Sequence, residues 1–333
     1  MRLRGKRAEL TRSAELAGLG FVARFGLETT IGIAAGGRPA AALEIAPEGV
    51  VAAATPAAGQ APVYAVETLA PMSVLPGLLE SNLGSAANVA AVAAAIKSAL
   101  GQVQPRVRAV TVVVPDSAVR VFVLDFDSLP TKLEEALPVL KFRLRKSVPF
   151  DVEHAGITYQ VLSEGSSRLE TQWKVLAAII PGTVLAEYEG VVRAAGYEPG
   201  AVLPASLAVL SAIDSQEALL VANLSARTLT TSIVSGNDVM LYRTVELPIE
   251  ESARQGEIQR AIAVAGAFYE DKLHFKAHRV LYSGVLPVRE FVDLLDDAEL
   301  AVGEAVPQPA TGMVSAMGQA SVAAVTGALV GTN

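Results

Sequence analysis

The sequence predicts an α/β protein that consists of two similar halves, with a small α+β subdomain inserted into the first half. Three observations predict this fold class. The 333 residues suffice for two domains, 51% of them are hydrophobic while only 5% are aromatic, and one order of strands and helices occurs twice. Ala, Val and Leu dominate the apolar residues, which suits thin layers in which helices pack closely on sheets.

The first half, residues 41–213, begins with three predicted strands. Residues 41–45 and 50–54 are joined by the turn-forming sequence Ala46-Pro47-Glu48-Gly49, and a third strand follows near 63–69. Ser85 can cap a helix whose apolar residues recur at helical spacing: Val89, Val92, Ile96 and Leu100. The remaining predicted elements are strands at 109–114, 172–180 and 201–203 and helices at 183–196 and 204–213.

The second half, residues 214–333, has the same order of elements. Its predicted strands are 218–223, 228–234, 239–247 and 279–282, and its predicted helices are 253–274, 288–295 and 312–329. Residues 305–333 carry no charge, but they are rich in Ala, Gly and Ser and contain Gln319. This composition predicts a buried terminal helix rather than one that spans a membrane.

One segment, about residues 117–172, does not fit the repeat. It contains a predicted strand at 119–126, a helix that starts near Thr131 and a strand at 157–162. The helix places four leucines on one face: Leu133, Leu137, Leu140 and Leu144. The segment is therefore predicted to be a compact inserted subdomain.

Two βββαβαβα units that face each other form the architecture shared by actin, sugar kinases and Hsp70. The fold class predicted for this chain is accordingly actin-like, also described as ribonuclease H-like. In this architecture a nucleotide lies between the halves, and the turn of the first hairpin in each half holds its phosphates.

Charge and composition exclude several function classes. The net charge of −7 argues against nucleic acid as the main partner. Residues 1–40 hold seven basic and three acidic residues, so we predict a basic, flexible N-terminal arm that could touch an anionic membrane surface. The absence of cysteine excludes disulfides and thiol chemistry and fits a reducing cytoplasm. With three histidines and no cysteine, neither a metal site nor a nucleophile–base pair is predicted.

Three stretches of the chain resemble the PilM family of pilus-assembly proteins, whose relatives include the cytoplasmic part of GspL and, more distantly, FtsA. The run KFRLRKSVPF at 141–150 resembles the family's helix with its Pro-Phe corner, and ITYQVL at 157–162 resembles its DYQVL strand. Residues 175–210 follow the family's order of strand, helix, Ala-Gly stop and second strand. The resemblance covers residues 41–329 and implies that the insertion helps to form a groove for a partner.

The resemblance also locates the nucleotide cleft, where this sequence departs from the family at three motifs. The family's Asp-x-Gly turn is Glu44-Ile45-Ala46 here, and its Asp-x-Gly-x-x-Thr turn runs from Asn223 through Ser225 to Thr228. The adenosine motif, normally Gly-Gly, follows Ser283 as Gly284-Val285. A methyl group at Ala46 crowds a phosphate, and Asn223 lacks the charge that would hold Mg²⁺. Hydrolysis is therefore not expected, no catalytic residue is nominated, and binding of ATP and Mg²⁺ is left open.

The insertion supplies the candidate partner site: Lys141, Arg143, Arg145 and Phe150. The arginines can make bidentate contacts with carboxylates or carbonyls, and Phe150 follows a proline that fixes the corner. The alternative is that the basic residues form a solvated helix face.

The resemblance implies a cytoplasmic scaffold, peripheral at the inner membrane, in a type IV pilus or type II secretion-like platform. Its expected partner is the cytoplasmic N-terminal tail of a single-span inner-membrane protein of PilN kind, and a homo-oligomer is left open. The alternative hypothesis is an ATP-binding switch in which nucleotide orders the two halves.

Overall fold

The computed structural model describes residues 38–56, 60–130, 132–163, 173–213, 215, 217–236, 238–297, 299–307 and 321–330. The strands are β1 (Ala41–Ala46), β2 (Gly49–Ala54), β3 (Val63–Thr68), β4 (Ala109–Val114), β5 (Arg120–Phe126), β6 (Gly156–Ser163), β7 (Trp173–Ile180), β8 (Glu198–Pro204), β9 (Leu219–Leu224), β10 (Thr228–Ser235), β11 (Asp238–Glu246), β12 (Arg279–Gly284) and β13 (Ala301–Glu304). The helices are α1 (Ala86–Val103), α2 (Leu133–Leu144), α3 (Gly182–Ala194), α4 (Ala205–Ser211), α5 (Glu251–Leu273), α6 (Val288–Leu295) and α7 (Ala323–Ala328).

The first sheet has the strand order β3-β2-β1-β4-β8. β1 pairs antiparallel with β2 but parallel with β4, and β4 pairs parallel with β8. β2 is buried along its whole length, as expected for an aliphatic strand covered on both faces. Helix α1 packs on β2 and β3, and α7 packs on β1, β2 and β4. The first of the two predicted repeats thus folds as one sheet that is covered by helices.

Of the helices in the described ranges, α1 is the one that is long and apolar enough to cross a membrane. In this fold it covers the first sheet with Val92, Ile96 and Leu100, all of which are fully buried. Its cap agrees with the sequence prediction, because the Ser85 hydroxyl accepts a hydrogen bond from the amide of Asn88.

The second sheet repeats this topology in the order β11-β10-β9-β12-β13. β9 and β12 are parallel, as are β12 and β13, while the hairpins β9–β10 and β10–β11 are antiparallel. The four residues of β13, Ala-Val-Gly-Glu, were not among the predicted strands because the segment is short and partly polar. Its pairing with β12 supplies the third parallel strand of this half, as β8 does in the first.

The inserted subdomain is a three-stranded antiparallel sheet in the order β5-β7-β6, with α2 packed on it. Its central strand, β7, follows the segment 117–172 that the sequence marks as the insertion. That predicted boundary is therefore too early: β5 and β6 each pair with β7 and not with each other, so the small sheet does not exist without it.

The sequence prediction places the end of the N-terminal arm at residue 40, which is about three residues too late. Arg38 is buried and donates a hydrogen bond to the carbonyl of Gly327, 3.2 Å away, and the carbonyl of Ala40 accepts one from the amide of Thr55. Residues 38–40 therefore belong to the fold, and residues 1–37 lie outside the described part. The described part of the terminal helix, Ala323–Ala328, is buried as predicted, whereas residues 308–320 are not described.

An apolar cluster joins the two halves and the inserted sheet. It contains one residue of β7, two of α4 and five of the second sheet: Leu176, Leu207, Leu210, Val221, Val234, Val239, Tyr242 and Leu281. The two halves and the inserted sheet therefore share one apolar core.

Candidate functional site

The carboxyl ends of the parallel strands bring the candidate residues together. β1, β4 and β8 end at one edge of the first sheet, and β9 and β12 end at the corresponding edge of the second. In open α/β sheets this edge is where ligands bind. Here the two edges enclose a narrow cavity lined by the predicted residues Glu44, Ala46, Asn223, Ser225 and Gly284, among others.

The cavity is far too small for a nucleotide. Its volume is about 50 Å³, enough for one or a few water molecules, whereas sites for small organic ligands are typically about 300–1,000 Å³. The other two predicted residues lie behind its wall: Thr228 is hydrogen-bonded to Ser225, and the Ser283 hydroxyl donates to Asn223 Oδ1 over 2.6 Å. Five of the seven predicted cleft residues thus line this narrow space, and the other two are hydrogen-bonded to residues that line it.

The turn after β9 satisfies its own backbone donors. The Ser225 hydroxyl accepts hydrogen bonds from the amides of Arg227 and Thr228, at 3.2 and 2.9 Å, and the Ser225 amide donates to the Thr228 carbonyl at 2.8 Å. Amides of this kind would hold a phosphate if they were free. Ser225 therefore occupies two amide donors of this turn, which are not free to bind a phosphate.

Asp116, which sequence reasoning missed, is the centre of the site. It follows β4, and its Oδ1 accepts hydrogen bonds from the Ser206 amide and the Tyr242 hydroxyl, both at 3.1 Å. Its Oδ2 accepts from the Ser206 hydroxyl and, over 3.2 Å, from the Thr230 hydroxyl. Ser206 belongs to the first half, while Thr230 and Tyr242 belong to the second, so one buried carboxylate joins both halves.

Asn223 completes this network. Its amide nitrogen donates to the Ser206 hydroxyl at 2.9 Å and lies 3.4 Å from Asp116 Oδ2. Its Oδ1 accepts from Ser283. Both ends of the side chain are therefore paired within the protein rather than directed at a ligand.

Three carboxyl groups give the cavity an acidic character. Burial, together with the nearby charges of Glu48 and Asp116, raises the pKa of Glu44 to about 8. Burial also raises the pKa of Asp116, although its four donors oppose the shift, and burial beside Asp116 raises the pKa of Tyr242 well above its usual range. A phosphate chain would meet these groups at close quarters. Within the described ranges no group of three or more metal-binding side chains is arranged to hold an ion.

Gly284 has a packing role. A Cβ atom at this position would overlap the carbonyl oxygen of Leu224 on the neighbouring strand, so only glycine permits the close approach of β12 to β9. The Val285 amide then donates to the same carbonyl over 3.0 Å. This glycine is explained without a nucleotide.

In the turn between β1 and β2, Glu48 reaches across the cleft. Its Oε1 accepts a hydrogen bond from the amide of Ala226 in the second half, 3.3 Å away. Arg254, in the first turn of α5, donates to the carbonyls of Ala226 and Ser225 at 2.6 and 3.2 Å. Burial raises the pKa of Glu48, while the Ala226 hydrogen bond and the charge of Arg254 oppose that shift.

The predicted partner residues lie on the inserted subdomain, but two of them are already paired. Lys141 and Arg145 both form ion pairs with Glu153, and Arg143 is exposed. Phe150 is half-buried and packs against the core of the inserted sheet. The aromatic side chain that does face solvent is Phe142, which is 78% exposed.

Two signals in the sequence could have identified the missed residues. Asp116 follows a buried β-branched strand directly, at the edge where parallel strands present functional groups. Phe142 lies two positions from both Leu140 and Leu144 and therefore on the opposite side of the helix from the core. The partners of Asp116, at Ser206, Thr230 and Tyr242, are 90 or more residues away along the chain, and no local pattern indicates them.

Comparison with solved structures identifies the class of fold. The chain superposes on the PilM-PilN type IV pilus biogenesis complex with a TM-score of 0.67 at 18% identity, covering 88% of this chain and 98% of the other. It also matches a Bacteroides thetaiotaomicron protein of actin-like ATPase fold and unknown function, with a TM-score of 0.48, 10% identity and coverage of 79% and 90%. The cytoplasmic domain of EpsL from the Vibrio cholerae type II secretion system matches with a TM-score of 0.47, 14% identity and coverage of 83% and 92%.

The chain therefore has an actin-like fold, as predicted. The predicted resemblance to PilM is confirmed at the level of this fold, over most of both chains. No model of a known protein family matches the chain, and no curated protein sequence matches it significantly.

Proposed function

We propose that this protein is a cytoplasmic scaffold of PilM kind, peripheral at the inner membrane, in a type IV pilus or type II secretion-like platform. It binds the cytoplasmic tail of a single-span membrane protein of PilN kind and does not hydrolyse ATP. One observation carries the proposal: the cleft that would hold the nucleotide is narrowed to about 50 Å³, and side chains of the protein itself accept the amide donors of Ala226 and Thr228 there.

The inserted subdomain supports the binding part of the proposal. Phe142 and Arg143 stand next to each other on the exposed side of α2. β6 is an edge strand of the inserted sheet and pairs with β7 alone among the described strands. Edge strands carry unpaired backbone groups that can accept a further strand. An extended tail could add to such an edge and place an apolar side chain against Phe142.

Isothermal titration tests the proposal. The ligand is a synthetic peptide that corresponds to the cytoplasmic tail of a co-encoded single-span membrane protein. Phe142→Ala and Arg143→Glu should each weaken binding by about 1–3 kcal/mol, roughly 5- to 150-fold. Only the effect of Arg143→Glu should shrink at high salt, because salt screens an exposed charge. Arg145 and Phe150 are less suitable for such a test, because Arg145 is paired with Glu153 and Phe150 packs on the core of the inserted sheet.

Ile249→Ala is the matched control, because Ile249 is 89% exposed in the second half, outside the inserted subdomain. It should bind the peptide as the wild type does. Unchanged affinity in both α2 variants, with circular dichroism showing an intact fold, would exclude this face as the partner site. Failure of the wild type to bind the tail would contradict the scaffold proposal itself.

A further inference from the structure

The turn at residues 225–228 retains the elements of an anion site. Two of its amides donate to the Ser225 hydroxyl, but the amide of Ala226 points out of the turn and towards the other half. Arg254 binds two carbonyls of the same turn and places a guanidinium charge beside it. An outward amide together with an adjacent cation favours a bound anion.

That anion is supplied by the protein. Glu48 occupies the two-residue turn between β1 and β2, where the register closes on the pair Ala46 and Gly49. A side chain at the tip of so tight a turn projects from the sheet edge, and its carboxylate reaches Ala226 across the cleft. Burial raises the pKa of Glu48, while hydrogen bonds from its own amide and from that of Ala226, together with the charge of Arg254, oppose this shift and favour the carboxylate.

We propose that Glu48 is a built-in anion that latches the cleft shut by occupying the anion site of the opposite turn. The Asp116 network and the apolar cluster join the halves at other points, so the latch acts at the entrance to the cavity rather than at the joint. The closed arrangement then needs no ligand. An inorganic anion can enter only when the carboxylate of Glu48 leaves.

Hydrogen exchange of the full-length protein tests the latch. In Glu48→Ala, amides of residues 225–228 should exchange roughly tenfold faster than in the wild type, while those of β4 and β12 should be unchanged. Glu48→Gln, which keeps the shape of the side chain but loses its charge, should lie between the two. Glu80→Gln and Glu80→Ala are matched controls, because Glu80 is an exposed acid away from the cleft.

Inorganic phosphate provides the second readout. At millimolar concentration it should slow exchange of residues 225–228 again in Glu48→Ala but leave the wild type and both Glu80 variants unaffected, with sodium chloride of equal ionic strength as the reference. Wild-type exchange rates at this turn in both Glu48 variants would overturn the latch. So would faster exchange that phosphate does not reverse, because the turn would then lack an anion site.

Discussion

The side chain of Asn223 is matched to the buried carboxyl group of Asp116. An aspartate at this position would place a second carboxylate about 3.4 Å from Asp116, and the two could not both ionise at low cost. The amide nitrogen of asparagine donates to Asp116 instead. At residue scale, the buried Asp116 network therefore explains why position 223 holds an amide rather than an acid.

Glu44 gives the pH dependence of folding a testable sign. Its pKa is about 8 in the folded protein and 4.5 in the absence of the fold, so between these values the folded protein holds a proton that the unfolded chain releases. Stability should therefore fall as the pH rises through this window, by at most about 1.4 kcal/mol per pH unit from this group. The partial exposure of the side chain reduces the effect.

Denaturant unfolding at several pH values within that window measures this dependence. Glu44→Gln should lose stability less steeply than the wild type as the pH rises, because the amide that replaces the carboxyl group does not titrate. Glu80→Gln should follow the wild-type curve. Parallel curves for Glu44→Gln and the wild type would show that Glu44 titrates at an ordinary pKa.

At element scale, the contact between α7 and α4 depends on one glycine. A Cβ atom at Gly327 would overlap the carbonyl oxygen of Ala208, so the two helices approach at backbone distance. Gly327→Ala should force them apart and cost about 1–3 kcal/mol of unfolding free energy. Thermal unfolding, monitored by circular dichroism, would register this as a clear fall in Tm.

Gly190→Ala is the matched control for this substitution. Gly190 lies within α3, and a Cβ atom there meets nothing within 4 Å. Alanine should stabilise the helix by about 0.5–1 kcal/mol. If the Gly327→Ala protein were as stable as the wild type, α4 and α7 could move apart without a loss of unfolding free energy, which would contradict the prediction.

Most elements could be predicted from the sequence because their signals are local: β-branched runs, helical spacing and a serine cap. The pairing of strands that lie far apart in the sequence could not be predicted, because no local signal specifies the partner. β7 lies between β5 and β6, and β13 exists as a strand because β12 offers its edge. The same holds in the site, where the motif positions followed from the resemblance but the contact of Glu48 with Ala226 spans 178 residues.

At the scale of the whole molecule, the narrow cleft predicts that nucleotide has no effect on activity or stability. The wild type should release no phosphate from ATP above a buffer blank, and ATP with Mg²⁺ at millimolar concentration should leave Tm unchanged. Any ligand that binds the folded state adds RT ln(1 + [L]/Kd) to its stability, about 0.4 kcal/mol when the ligand concentration equals Kd. A Tm that rises with ATP concentration would support the alternative, an ATP-binding switch.

The position of α7 has a consequence for the synthesis of the chain. The core of the first half contains residues of β1, β2 and β4 together with Val322, Ala323, Val325 and Leu329. The ribosome makes these last residues only after all strands and the first two helices of the second half. At roughly 5–20 residues per second, the stretch between positions 213 and 329 takes about 6–23 s. During that interval the nascent first half exposes an apolar surface that its own later residues will cover, and this is the period in which a chaperone would bind it.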